Sequence, residues 1–311
     1  QRKLWVEKTM SLMEYHNPVL LKETVDVLNI NPDGVYVDVT FGGGGHSREI
    51  LSRLSENGRL FAFDQDEDAL NNVIDDARFT LIHENFRFIK RFLRFHGVRK
   101  VDGILGDFGV SSHQFDEAGR GFSIRFDAEL DMRMSKKMST SAYDVVNDYS
   151  EEELRRMFSV YGELTNAKAI AAKIVASRDE KINTIEELKN VVRKFLPQHA
   201  EHKVLAKIFQ AIRIEVNEEL LVIEEFLLQT PELLDVGGRL SLISYHSLED
   251  RLVKRFIRSG MFEGEPEKDF YGNISVPFKK KGKMIVPSAD EIKVNNRARS
   301  AKLRIAERIE N

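Results

Sequence analysis

The 311-residue chain contains no cysteine. That excludes disulfides, thiolate metal sites and any cysteine nucleophile, and it fits a reducing compartment. No apolar run reaches the roughly 18 residues that a membrane-spanning helix needs. The N-terminal residues lack the apolar core of a secretory signal, so a cytoplasmic protein with no membrane partner is expected. No GxxxxGK[ST] stretch occurs, which argues against NTP hydrolysis on a phosphate loop. Internal repeats and low-complexity tracts are also missing. What is there is ordinary for a globular protein: 42% hydrophobic and 31% charged residues, enough to bury a sizeable core in one large domain or two ordinary ones. The charge is uneven. From Arg251 to Arg308 there are 15 Lys/Arg against 7 Asp/Glu, a basic segment on an acidic body, which suits a nucleic-acid partner as well as it suits a solvated surface.

The most informative stretch is Val35-Tyr-Val-Asp-Val-Thr-Phe-Gly-Gly-Gly-Gly-His46. Alternate β-branched residues predict a buried strand, four glycines a tight loop, and Ile50, Leu51 and Leu54 a helix beyond it. Strand, glycine loop and helix together form the opening of a nucleotide-binding unit. Further short strands are expected at 59–63, 79–83 and 101–107, the first two followed by helical spacing (Ala69, Leu70, Val73 and Ile74 after the one, a basic helix through Phe95 after the other). This rhythm calls for a doubly wound, mostly parallel α/β sheet. From Ser139 to about Pro197 the pattern is helical throughout, with capping boxes at Ser150–Glu153 and Thr184–Glu187. One long helix is expected over 204–228, a turn at Gly237-Gly238, a strand at 239–245, a helix at 248–257, a loop or edge hairpin at 262–289 and a last strand at 301–306. The domains so read are a core of 13–125 with 204–311 and an all-α insertion of 126–203; residues 1–12 are set aside from the fold.

Ligands of such sheets bind beyond the C-terminal strand ends. The residues expected there are the Phe41–His46 loop, Asp64, Phe86, Asp107 to Gln114, and Tyr245 to Ser247. Asp64 follows the loop by about 20 residues, where a carboxylate accepts hydrogen bonds from a ribose diol. Both NAD and S-adenosylmethionine carry that diol. Read from Gly42, a GxGxxG pattern would need glycine at position 47, where Ser47 stands, which weighs against a dehydrogenase. Each residue also has a plainer reading: Asp64 as a solvated turn carboxylate, Ser111-Ser112 as helix caps, His46 as a helix start.

Six ordered motifs add a resemblance. Asp107-Phe-Gly-Val-Ser-Ser112, Gly121-Phe-Ser, Leu130-Asp-Met-Arg-Met134, Phe209-Gln-Ala-Ile-Arg213 with Asn217-Glu-Glu-Leu220, Ser244-Tyr-His-Ser-Leu-Glu-Asp-Arg251 and Asn296-Arg-Ala-Arg-Ser300 closely resemble the MraW (RsmH) family, bacterial small-subunit ribosomal RNA cytosine-N4 methyltransferases. The resemblance runs from about His16 to Arg308. It implies a class I, S-adenosylmethionine-dependent methyltransferase fold with a helical insertion, acting on 16S rRNA at the decoding centre, free or in the assembled small subunit. A monomer and a homodimer both stay open. It implies that Gly44, Gly45 and His46 face the methionine part of the cofactor, with Gly43 among the cofactor-binding residues, that Asp64 holds the ribose, that Phe86 lines the adenine pocket, and that Asp107 and Gln114 complete the cofactor contacts. No metal is expected. This chain departs from the family at Gly43, where many members carry a larger residue, and in a shorter stretch after Gly260.

Asp107 is the expected catalytic residue, accepting a hydrogen bond from the target amine, with Phe108 or Tyr245 stacked on the base and Asp107, His246 or water taking the proton. The missing cysteine bears on the reaction independently: methylation of cytosine at C5 normally uses a cysteine adduct, so N4 is the chemically open position. Lys279, Lys280, Lys281, Lys283, Arg297 and Arg299 are candidate phosphate contacts. The competing readings are an NAD-dependent oxidoreductase and a non-catalytic ribosome-assembly factor.

Overall fold

A computed structural model describes residues 18–310 apart from 265, 267, 269 and 273; residues 1–12 lie outside the described residues. The chain forms two compact units. One comprises the chain up to Gly109 together with Leu220 onward, the other Val110–Glu219.

The first unit is built on seven strands: β1 (Val35–Asp38), β2 (Arg59–Phe63), β3 (Phe79–Ile82), β4 (Val101–Asp107), β5 (Leu234–Ser244), β6 (Phe278–Lys280) and β7 (Lys302–Arg308). Their order is β3-β2-β1-β4-β5-β7-β6. The five strands from β3 to β5 run parallel; β7 is antiparallel to β5, and β6 pairs antiparallel with β7 at the edge. This is the doubly wound, mostly parallel sheet of a class I methyltransferase, as the alternation of strands and helices requires. Chain order reverses between β1 and β4, so the crevice that binds ligands in such folds opens at their C-terminal ends.

Close packing of the sheet depends on two β4 glycines. A Cβ on Gly103 would stand 2.9 Å from the Tyr36 ring, and one on Gly106 3.1 Å from Leu242 and Val39. Val37, Ile104, Leu240, Phe63 and Phe226 are buried in one continuous cluster, each such side chain contributing roughly 1.5–3 kcal/mol by leaving water.

Three local expectations are corrected. The turn at Gly237-Gly238 lies inside β5: Val101 pairs with Leu234 but Gly103 with Arg239, so the extra residues are absorbed as a bulge, for which Gly237 takes φ 86°. The apolar spacing after Asp64 is met by a 3-10 turn over Glu67–Asn72, capped by Asp66, rather than by an α-helix. The single helix over 204–228 is two, Glu201–Asn217 and Glu219–Leu233. They part at Glu218, whose backbone is left-handed at φ 50°.

The second unit is helical, with helices Ala142–Asp148, Glu151–Val160, Ala167–Val175, Ile185–Val192 and Glu201–Asn217. Both capping boxes form, Ser150 with Glu153 and Thr184 with Glu187. This unit is wider than 126–203 at both ends. Its core takes in Phe122 before that span and Leu205, Ile208, Ile212 and Val216 after it, together with Val145, Phe158, Ile174 and Leu188. Helical spacing alone could not show which unit the 201–217 helix buries its apolar face in. Asn217, 2% exposed, ties this core to the Leu130–Met134 motif. Its Nδ2 donates to the carbonyls of Met132 (2.8 Å) and Arg213 (2.9 Å), and its Oδ1 accepts from the Met134 amide (2.7 Å). Between those anchors Met132 is left-handed at φ 57°, a conformation a side chain adopts only when its surroundings impose it.

Candidate active site

The glycine loop is a folded turn with its own fastenings. The Gly44 amide donates to the Phe41 carbonyl at 2.7 Å. Arg48 donates to the Gly43 carbonyl at 2.6 Å and Asn72 to the Gly42 carbonyl at 3.1 Å. Gly42 and Gly44 take φ 50° and 75°. The need for glycine differs along the loop. A Cβ on Gly45 would lie 2.1 Å from Pro18, and one on Gly44 2.8 Å from the Phe41 ring, whereas one on Gly42 would meet open space. Protein packing thus accounts for Gly44 and Gly45; the free room is at Gly42 and at exposed Gly43. The His46 ring is 4% exposed, its Nε2 donating to the Val19 carbonyl at 3.1 Å. Burial depresses its pKa, against the pull of Asp107.

Three carboxylates stand at the ends of β1, β2 and β4. Asp38 is fully buried and accepts from the Ser47 hydroxyl (2.7 Å) and the Thr40 amide (3.1 Å). Ser47, the residue that breaks the dehydrogenase pattern, is therefore a structural partner of Asp38. Asp64 accepts from the Gly42 amide through Oδ2 (2.7 Å) and from the Asp66 amide through Oδ1 (2.9 Å). A carboxylate oxygen has two acceptor sites, so each keeps one for a further donor such as a ribose hydroxyl. The Asp107 amide donates to Thr40 Oγ1 at 2.7 Å, and its Oδ1 accepts from the Tyr245 hydroxyl at 2.7 Å. Burial raises all three carboxyls to about 6. For Asp107 the rise is moderated by His46 and by the Tyr245 hydrogen bond. The Tyr245 phenol itself is pushed well above its usual range by burial and by Asp107.

Phe86 is half-buried after β3, its ring 5.9 Å from that of Phe108 and 5.4 Å from that of Phe226. Phe108 is 2% exposed inside this aromatic group, which removes it from the base-stacking role; Tyr245 is half-buried and engaged with Asp107. His246 caps the Ser247–Ser259 helix. Its Nδ1 accepts from the Glu249 amide at 3.5 Å and its Nε2 lies 3.1 Å from Glu249 Oε1, so both ring nitrogens face its own helix turn. Fully buried Glu249 also accepts from the amides of Tyr245 (2.8 Å) and His246 (3.3 Å), holding the turn that carries Tyr245. Sequence reasoning passed over Glu249, although its spacing from His246 matches a capping box. Gln114 belongs to the helical unit. It is 5% exposed, and its Oε1 accepts from the Ser111 amide at 3.0 Å in a capping box.

Of the candidate phosphate contacts, Lys279 and Lys280 are exposed on edge strand β6 and Lys283 just beyond it, while Lys281 is neutralised by Glu307 at 2.8 Å. Arg297 and Arg299 are exposed on a 3-10 turn before β7. Among the described residues no helix is long and apolar enough to cross a membrane.

Comparisons with known proteins show what the chain is similar to. The model of the MraW methylase family matches residues 13–309. A Flavobacterium johnsoniae protein named ribosomal RNA small subunit methyltransferase H is 69% identical over 298 residues, which are 96% of this chain and 99% of that protein. A Bacteroides fragilis protein of the same name is 55% identical over 296 residues, 94% of this chain and 97% of that protein. Among solved structures, an rRNA methylase from Streptococcus thermophilus aligns with a TM-score of 0.40 at 12% identity, covering 95% of this chain and 99% of that one.

Proposed function

The chain belongs to the MraW methylase family, and from that premise we propose that it transfers the methyl group of S-adenosylmethionine to the exocyclic N4 amine of a cytidine in the 16S rRNA of the small ribosomal subunit. The observation that carries the choice of cofactor is the charge of the crevice. Asp38, Asp64 and Asp107 end three neighbouring strands, an environment that favours a sulfonium cation and disfavours the pyrophosphate of NAD. The residues present fit the cofactor. The Gly42–Gly43 turn leaves room, Asp64 retains an acceptor site on each oxygen for a ribose diol, and Phe86 offers an aromatic wall. When bound, the cofactor supplies an electrophilic methyl group on sulfur.

The remaining work belongs to the protein. The N4 amine of cytosine is conjugated with its ring and weakly nucleophilic. Asp107 carries Oδ1 pinned by Tyr245, which fixes the plane of the carboxylate, while Oδ2 makes no hydrogen bond among the described residues. An oxygen so placed accepts from the amine, sharpens its lone pair toward the methyl group and favours the transition state in which N–H acidity rises. With its pKa near 6, Asp107 is mostly ionised at neutral pH and still basic enough to take the proton as the N–C bond forms. His246, turned into its helix cap, is not needed for that step. Incubating small subunits from a strain lacking this methylase with the protein and methyl-labelled cofactor, then resolving the nucleosides by mass spectrometry, should give label in N4-methylcytidine. Label at C5 or on another nucleoside would overturn the assignment; no label at all would favour a scaffold role.

A further inference from the structure

Within the helical unit, the end of the Ile185–Val192 helix, the turn before the Ala167–Val175 helix and the first turns of the Glu201–Asn217 helix enclose a groove of about 490 Å³, in the size range of ligand clefts, about 300–1,000 Å³. Lys194, Lys203 and Lys207 line it, with Phe195 and Asn166, and a single acidic residue, Glu163. Several cations of this unit are neutralised by carboxylates, Arg155 by Glu152, Arg156 by Glu215, Lys181 by Asp148 and Lys189 by Glu186. In the groove, Lys194 instead lies over the Phe195 ring, its Nζ 4.9 Å from the centroid, and Lys207 donates to the backbone carbonyl of Glu163 at 3.4 Å. Among the described residues none of the three pairs with a carboxylate. Three uncompensated ammonium groups in one concavity focus a positive potential. Lys203 and Lys207 are four apart on one helix face, and Asn166 opens the 167–175 helix without using its side chain as a cap.

We infer that this groove clasps the phosphodiester backbone of single-stranded RNA, with Lys194, Lys203 and Lys207 as its phosphate contacts. Lysine suits the role as a compact charge with rotatable donors, and among the described residues the groove has no acidic lining beyond Glu163. The inference deepens, and rests on, the reading of the chain as an RNA methylase: it places part of the RNA grip in the helical unit, on a surface that no motif of the sequence marks.

The test uses the full chain, a fluorescently labelled single-stranded RNA oligonucleotide, and anisotropy titrations over a range of salt. Each phosphate contact to a single strand contributes about 0.7 to the slope of log K against log salt. Combining Lys194→Gln, Lys203→Gln and Lys207→Gln should therefore lower the slope by about 2 and weaken binding at low salt, with cofactor affinity unchanged. The matching triple Lys→Arg variant should keep the slope. An unaltered slope in the Gln variant overturns the inference. So does a variant that binds RNA normally but fails only on subunits carrying their proteins, an outcome that assigns the groove to an acidic protein segment. A wild-type chain that neither binds RNA nor methylates subunits sinks the methylase reading instead, which separates the two failures.

Discussion

Replacing Asp107 with Asn keeps the size of the side chain and removes its charge. The Tyr245 hydroxyl can still donate to the amide oxygen, so the plane of the group survives, but the second position becomes an NH2 that faces the target amine donor to donor. A hydrogen bond to an ionised acceptor contributes roughly 1.5–3 kcal/mol, which corresponds to a loss of about ten- to a hundredfold in kcat. A pH profile makes the argument sharper. The Asp107 carboxyl sits at about 6, so kcat/KM, which reports the free enzyme, should be level above pH 7 and fall toward tenfold per unit below 6. Tyr245→Phe supplies the internal control. The tyrosine hydrogen bond holds the carboxyl down, and its loss should move the acid limb to higher pH while leaving the alkaline plateau largely in place. The assay is methyl transfer to deletion-strain small subunits at limiting subunit concentration. A profile flat to pH 5, together with an Asn variant within about twofold of wild type, would refute Asp107 as the acceptor, since an effect of about 1.5 kcal/mol could not hide there.

Three other perturbations follow from the same geometry. Asp64→Asn sets an NH2 against either the Gly42 or the Asp66 amide and should weaken cofactor binding about tenfold or more by calorimetry; unchanged affinity would remove Asp64 from the ribose role. Asp38 is fully buried and its carboxyl is raised from 3.8 to about 6, so the folded state holds the proton more tightly than the unfolded one. The resulting destabilisation is absent below about pH 4, grows to pH 6 and is complete above it, roughly 3 kcal/mol before the lost Ser47 bond is counted. Asp38→Asn should therefore stabilise the protein by about 1–2 kcal/mol at pH 8 and not at pH 4, and denaturant titrations showing the reverse order would contradict this sign. Asn217→Ala strands the Met134 amide and the Met132 carbonyl in a buried site and should cost roughly 2–4 kcal/mol in urea unfolding; a loss under about 0.5 kcal/mol would mean that Met132 keeps its left-handed backbone without the clamp.

Period and punctuation were enough to read the sheet. The β-branched alternation of Val35, Val37 and Val39, the glycines after it and the helical spacing that follows are local signals, and local signals place strands and helices. The failures are non-local. Gly237-Gly238 carries the composition of a turn, but pairing of Val101 with Leu234 on one side and Gly103 with Arg239 on the other makes it a bulge, and no window of sequence contains both partners. The uninterrupted apolar spacing of 204–228 likewise hides the break at Glu218, which is set by what Asn217 grips some 85 residues earlier in the chain.

The site shows the same division. Asp64, Asp107 and the glycine loop could be named in advance because strand ends and glycines are visible in the sequence. What each does depends on partners brought by the fold. Tyr245 lies 138 residues from Asp107 and reads in sequence as a base-stacking aromatic; in the structure its hydroxyl is spent on the carboxylate, while Phe108, the other aromatic candidate, is closed into the group around Phe86 and Phe226. Phe108 is thus closed to the target base, while the Tyr245 ring is held beside the carboxylate by its hydroxyl. On the proposed reading the first unit supplies the methyl donor's seat and the acceptor, and contacts beyond Tyr245 help to hold the base in line. A reaction that gains most from positioning then depends on RNA contacts made elsewhere in the chain, which predicts that variants weakening those contacts will lower kcat as well as raise KM.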